Sequence, residues 1–202
     1  MAEVMLHRTQ ARQVVPVYER FVNCYPDLFS LAEATEEDLY EILYSLGLHW
    51  RVQLIYKMVA DLMTRFSGQI PSAKADLLSL PGISDYITSA VRCFAWQQPD
   101  AVIDTNTVRI VGRVFGLQLK DSLRRNRRFK TLIEDLLDSD QPIAYNYALL
   151  DLANKVCLKV QEPECIKCPL VEHCQYGAIA VTSKAQSKTH FGVETAEQYS
   201  VE

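Results

Sequence analysis

No apolar stretch among the 202 residues approaches the roughly eighteen needed for a helix to cross a bilayer, so a membrane span is excluded from the reading. A secretory signal is also lacking, and disulfide-dense chains are usually much shorter. The six cysteines therefore read poorly as a disulfide framework and suit a reducing cytoplasm. No convincing pair of strands can be read anywhere. Positive charge is not in excess, and a formal net charge of −4 argues against indiscriminate binding to nucleic acid. A locally basic face remains compatible with that total. Lys120, Arg124, Arg125, Arg127, Arg128 and Lys130 form one dense cluster, which suits either the solvated start of a helix or a phosphate-binding surface. What is abundant is apolar side chain, 49% of the total, enough for a sizeable core in one large or two small domains.

Periodicity is helical nearly throughout. Thr35 and Asp38 have the spacing of a capping box, and Leu39, Ile42, Leu43 and Leu46 follow at i, i+3, i+4 and i+7, which predicts a helix of about three turns. Leu54, Met58 and Leu62, with Ile55, Val59, Met63 and Phe66, extend a second pattern until Ser67 and Gly68 break it. Further helices are predicted around 86–96, 105–115, 128–138 and 141–156. In the last, Pro142 occupies the first turn, and Tyr145, Ala148, Leu149, Leu152 and Val156 share one face. Cys24 and Cys93 have apolar surroundings and read as core residues. From about residue 181 apolar anchors are sparse, and the tail 181–202 is expected to be disordered.

The other four cysteines, Cys157, Cys165, Cys168 and Cys174, stand in the pattern C-x7-C-x2-C-x5-C. Four thiolates so close in the chain can converge on one metal centre. An iron–sulfur cluster is the leading candidate and zinc its rival. Small zinc sites usually show two C-x2-C knuckles, whereas this chain has one knuckle between two single cysteines.

Two further segments carry possible chemistry. Leu80-Pro81-Gly82-Ile83-Ser84-Asp85-Tyr86 reads as a tight turn between helices, a connection that many structures make with Pro-Gly for packing alone. Some twenty residues on, Val102-Ile103-Asp104-Thr105-Asn106-Thr107 ends an apolar run with an acid at the start of a helix. Asp104 is a candidate N-cap. The same placement can serve chemistry, because the positive end of a helix supports a carboxylate in a cleft, where it can stabilise a developing cation.

In this order, the hairpin at Leu80–Tyr86, the acid at Asp104 and the four cysteines resemble the helix-hairpin-helix DNA glycosylase superfamily, which includes endonuclease III, MutY-type adenine glycosylases and mismatch thymine glycosylases. The resemblance spans about residues 2–176. It implies an all-α, two-lobed fold: a mainly six-helix lobe with the hairpin over 1–140, and the last helix with a cluster loop over 141–180. It implies a 4Fe-4S cluster on Cys157, Cys165, Cys168 and Cys174. The implied catalytic acid is Asp104. A second, Glu3, comes from the likeness of residues 2–10 to the first helix of the adenine and thymine branch.

Lysine stands at position 86 in relatives that cut DNA through a Schiff base. Tyr86 cannot form that imine, so a monofunctional enzyme is implied, with Tyr86 closing the pocket. Glu3 and Tyr86 also have plain readings, as an exposed first-turn glutamate and an aromatic core contact. Backbone amides around Gly82 and Ser84 would hold a DNA phosphate, and Asn106 accompanies the acid in both branches. Arg8 would fill the space of an extruded nucleotide, and Trp50 would stack a base unless it is an ordinary packing residue.

The expected partner is double-stranded DNA with a mismatched or damaged base, bound by a cytoplasmic monomer, nucleoid-associated if the source is prokaryotic, with no membrane attachment. Thymine or uracil opposite guanine is the favoured target, supported by Gly47-Leu48 and by the lack of a further domain after residue 180. Adenine opposite guanine or 8-oxoguanine is the alternative, followed by a catalytically silent module that binds damaged DNA. One departure predicts strain: relatives usually have a second glycine where Ser84 stands, and a serine held at positive φ would cost about 1–3 kcal/mol.

Overall fold

The computed structural model describes residues 1–6, 9–47 and 49–182. They are helical with no strand among them, in two compact units that meet at Asp100 and Ala101. This division of packing is distinct from the family lobes expected to meet at 140/141. No helix among the described residues is long and apolar enough to cross a membrane. Of the expected tail, 181 and 182 continue a helical run and 183–202 lie outside the described residues.

The first unit comprises α1 (Ala2–Leu6), α2 (Ala11–Cys24), α3 (Leu28–Ala32), α4 (Glu36–Leu43), α5 (His49–Phe66), α6 (Lys74–Ser79) and α7 (Asp85–Trp96). The capping box is formed: the Asp38 N–H donates to Thr35 Oγ1 at 3.2 Å and the Thr35 N–H donates to Asp38 Oδ2 at 2.9 Å. It starts α4, whose last predicted turn tightens into a 3-10 segment, Tyr44–Leu46, before Gly47 turns the chain at φ +64. α5 stops where its pattern breaks. Ser67 and Gly68 both take positive φ, and the Gly68 N–H reaches back to Leu62 O at 3.0 Å, satisfying a terminal carbonyl. Met5, Leu39, Leu43 and Ile55 are fully enclosed in the common core. Each contributes about 1.5–3 kcal/mol by leaving water. Cys93 lies in this unit's interior, but Cys24, the last residue of α2, is exposed. Apolar neighbours in sequence had suggested burial for Cys24, yet its position in the last turn of α2 faces it outward.

The second unit contains α8 (Thr105–Val114), a 3-10 turn Asp121–Arg125, α9 (Arg127–Leu136), α10 (Pro142–Lys155) and two 3-10 turns, Cys165–Lys167 and Val171–His173. Phe129 and Ile133 of α9 pack with Ala101, Val108 and Val111. The buried face of α10 differs from the predicted one. Pro142, Asn146 and Ala153 point inward, while Ala148 is exposed. The reason is Asn146, whose Oδ1 accepts the Val102 N–H at 3.0 Å and whose Nδ2 donates to Pro142 O at 2.8 Å. A polar side chain matched to two backbone groups can be buried where periodicity assigns it to water.

Replacing Asn146 with leucine keeps the volume but strands the Val102 N–H. Equilibrium urea unfolding is expected to show a loss of about 1–3 kcal/mol, the penalty for a buried donor without an acceptor.

Candidate active site

The hairpin between α6 and α7 is a turn closed by the Ile83 N–H on Leu80 O at 3.2 Å. Pro81 and Gly82 occupy its two central positions, and Gly82 takes φ +78, as the second central residue of a type II turn must. Ser84 is not strained. Its φ is −98, and its Oγ accepts the Ile87 N–H at 3.3 Å, so it caps α7 where relatives were expected to need a second glycine. Gly82 alone carries the left-handed conformation. Among the described residues the N–H groups of Gly82 and Ser84 donate to no carbonyl. Tyr86, in the first turn of α7, is half-buried against the core of the first unit.

α1 packs on α7, which brings the helices of Glu3 and Tyr86 together. Glu3 is half-buried, not the exposed first-turn residue of its plain reading, and its Oε2 is shielded from solvent without a hydrogen-bond partner among the described residues. The neighbouring Val4 carbonyl accepts a 2.6 Å bond from Nη1 of buried Arg51, tying α5 to α1. Arg51 had no assigned role in the sequence, since its partner is 47 residues away. Trp50 is not a packing residue: it is 63% exposed, with the Arg51 guanidinium 4.6 Å from its ring centre. Beside it in the chain, His49 makes ring contacts at 4.9 Å with both Tyr40 and Tyr44. Arg8 lies outside the described residues.

In the second unit Asp104 is the N-cap of α8. Its Oδ1 accepts the N–H groups of Asn106 and Thr107, each at 2.8 Å, with the Thr107 hydroxyl 3.1 Å away. Its Oδ2 takes one bond, from Asn106 Nδ2 at 2.7 Å. Each carboxylate oxygen offers about two lone-pair sites, so the spare acceptor capacity lies on Oδ2. Asn106 is engaged at both ends, because its Oδ1 receives Arg109 Nη1 at 3.1 Å. Arg109 then reaches α10, donating through Nη2 to Ala153 O at 3.1 Å and through Nε to Cys157 O at 2.9 Å. A continuous run of hydrogen bonds therefore joins the Asp104 carboxylate to the first cysteine. Nothing in the sequence periodicity announced Arg109, which is buried on α8.

The four cysteines line one cavity with an empty volume of about 280 Å³, solvent at its mouth included. Arg113 closes one side, donating through Nη1 to Cys157 Sγ at 3.1 Å and to Leu158 O at 2.9 Å while its guanidinium covers the Tyr176 ring. The Gly177 N–H donates to Cys174 Sγ at 3.3 Å. Burial pushes the Cys165 thiol up, as do the other three cysteines, and Arg113 opposes them. Among the described residues no group of three or more His, Cys, Asp or Glu side chains is set to hold a single metal ion. Four sulfurs around one shared space, with two donors turned to sulfur, fit a multi-iron cluster that takes one thiolate per iron.

Gly82→Ala tests the hairpin. A β-carbon there would sit 3.2 Å from Leu54 Cβ, on a backbone at φ +78. Left-handed strain alone gives a loss of about 1–2 kcal/mol in thermal or urea unfolding, with Ser84→Gly much milder.

Residues 1–135 match the family model for the HhH-GPD superfamily of base excision DNA repair proteins. A thymine-DNA glycosylase of Aeropyrum pernix is 36% identical over 180 residues, 87% of this chain and 80% of that protein. A thymine/uracil-DNA glycosylase of Pyrobaculum aerophilum is 36% identical over 177 residues, 86% of this chain and 76% of its own. Among solved structures, a thermostable thymine-DNA glycosylase superposes with a TM-score of 0.82 at 25% identity, covering 88% of this chain and 82% of that one. The family model and relatives at 36% identity over most of both chains agree: this chain belongs to the HhH-GPD superfamily of base excision DNA repair proteins.

Proposed function

We propose that this chain is a monofunctional DNA glycosylase that hydrolyses the N-glycosidic bond of thymine or uracil opposite guanine in duplex DNA. The observation that carries the reading is 36% identity, over most of both chains, to proteins named for thymine and thymine/uracil removal. Asp104 supplies the chemistry. Loss of the base leaves positive character on the sugar, and a carboxylate held rigidly by α8 stabilises that charge without having to reorganise. Oδ2, the oxygen with room for a further contact, is the one assigned to face the sugar or the attacking water. Asn106 acts as a positioning residue, since its amide is committed to Asp104 and Arg109. Glu3 is the partner for the departing base: a shielded carboxyl oxygen without a donor is suited to receive or supply one when a ligand arrives.

DNA is held in this reading by the Gly82 and Ser84 amides on a phosphate, with exposed Trp50 offering a ring to a base. Tyr86 lines the pocket and forms no covalent bond to the sugar. Cys157, Cys165, Cys168 and Cys174 hold a 4Fe-4S cluster, which when bound cross-links the end of α10 to the two 3-10 turns that follow. The enzyme acts as a monomer in the cytoplasm, where its thiols stay reduced.

Duplexes carrying each mismatch, incubated with purified protein and then treated with alkali, test the activity. Cleavage after alkali is expected for T·G and U·G, with little strand breakage before it and no efficient borohydride trapping. Release of adenine instead would assign the enzyme to the other branch, and release of no base would leave a DNA-binding module. Asp104→Asn is expected to lower base release by several orders of magnitude while duplex binding persists. Near-normal turnover by a folded variant would remove Asp104 from the mechanism.

Cluster content has its own measurement. The purified protein is expected to be brown with about four irons per chain, and Cys168→Ser to lose that colour while far-UV circular dichroism largely persists. Stoichiometric zinc in a colourless protein would replace the cluster assignment.

A further inference from the structure

The second unit contains another cavity, apart from the cysteines, lined by five cationic residues: Arg109, Arg113, Lys120, Arg124 and Lys159. Thr105, Val108 and Leu119 complete its wall. Among the described residues every charged side chain in that lining is basic, although the whole chain has 25 acidic side chains against 21 basic ones. Concave walls of one sign concentrate the field of their charges and attract a counter-ion. Arg109 and Arg113 are turned toward carbonyls and toward Cys157, so they contribute field and a rigid floor. Lys120, Arg124 and Lys159 are exposed and come from three separate places: the entry to a 3-10 turn, that turn itself, and the loop after α10.

A feature a few residues further along the chain, outside the cavity lining, points the same way. The first turn of α9 opens with Arg127 and Arg128 and contains no acid. Cations are disfavoured at that end of a helix by about 0.3–1 kcal/mol each, so the arrangement runs against the stability of α9. A solvated helix start would be better served by aspartate or glutamate. Local stability does not explain this concentration of positive charge, whereas an anionic ligand does.

We propose that this cavity is a phosphate-binding site, with Lys120 and Lys159 as its ligand-facing cations, and that the phosphate is that of the DNA backbone. The cavity includes Thr105, the residue next to Asp104 in the chain, so a phosphate seated there would lie on the strand near the nucleotide being processed. The DNA source rests on the glycosylase reading; the phosphate chemistry rests on the cavity alone. This contact would add to the hairpin amides and would carry no sequence information.

The test is the salt dependence of binding to an undamaged duplex and to an abasic one, measured by fluorescence anisotropy on the cluster-loaded protein. Each lost phosphate contact makes the plot of log K against log salt shallower by about 0.9. Lys120→Gln with Lys159→Gln removes two cations from that one phosphate and is expected to flatten the plot by about that amount. Arg20→Gln with Lys57→Gln removes the same charge from exposed positions of the first unit and is expected to leave the slope near the wild-type value. Equal flattening by both pairs would reduce the effect to net charge and overturn the proposal.

A second arm follows the melting temperature with pyrophosphate. If pyrophosphate stabilises the wild type but not the Lys120/Lys159 variant, while their DNA slopes coincide, the phosphate site stands and its source is a free anion. If neither DNA slope nor pyrophosphate response differs between the two proteins, no phosphate site exists there. These outcomes are independent of base release: a protein inactive on every mismatch can still show the altered slope, and an active one can lack it.

Discussion

A buried guanidinium organises the second unit. Arg109 is enclosed, and an enclosed cation is tolerated only when its donors are satisfied with good geometry. Here the acceptors are the Ala153 carbonyl in the last turn of α10, the Cys157 carbonyl just beyond that helix, and the amide oxygen of Asn106. The terminal carbonyls of a helix are electron-rich and lack partners of their own, so a cation from a neighbouring helix suits them well. α8 and α10 are thereby fixed in register, and Asp104 inherits its orientation from that register through Asn106. The acid is rigid because it belongs to a hydrogen-bonded chain that ends in the interior.

What could be read from sequence divides according to how local its cause is. The Thr35–Asp38 capping box, the end of α5 at Ser67 and Gly68, and the cap at Asp104 depend on residues within a few positions of one another, and all are present as read. The all-helical fold follows from the same short-range periodicity. Ser84 was misjudged because the family's second glycine suggested a positive φ that only Gly82 adopts. Asn146, Arg51 and Arg109 share a different difficulty. Each is polar in composition and buried in fact, and each bonds a backbone group more than forty residues away. No local pattern encodes such a partner.

The two cavities of the second unit share Arg113, yet they differ in chemistry. One gathers sulfur, and the other gathers positive charge. Arg113 serves both because a guanidinium has several separated donors in a plane: one edge meets Cys157 and the Leu158 carbonyl, and the face lies on Tyr176. A lysine could supply the charge but not the planar stack with simultaneous edge contacts. The residue therefore belongs structurally to the cysteine cavity even while its field reaches the basic one.

The loop between the first two cysteines is pinned at its base, where the Glu164 N–H donates to Val156 O at 2.9 Å, while Val160 near its middle is 94% exposed. Lengthening such a closed loop by one residue costs little chain entropy and disturbs no packed side chain at its tip. A change in the length of the seven-residue gap would be taken up at this exposed tip and leave the pinned base of the loop in place.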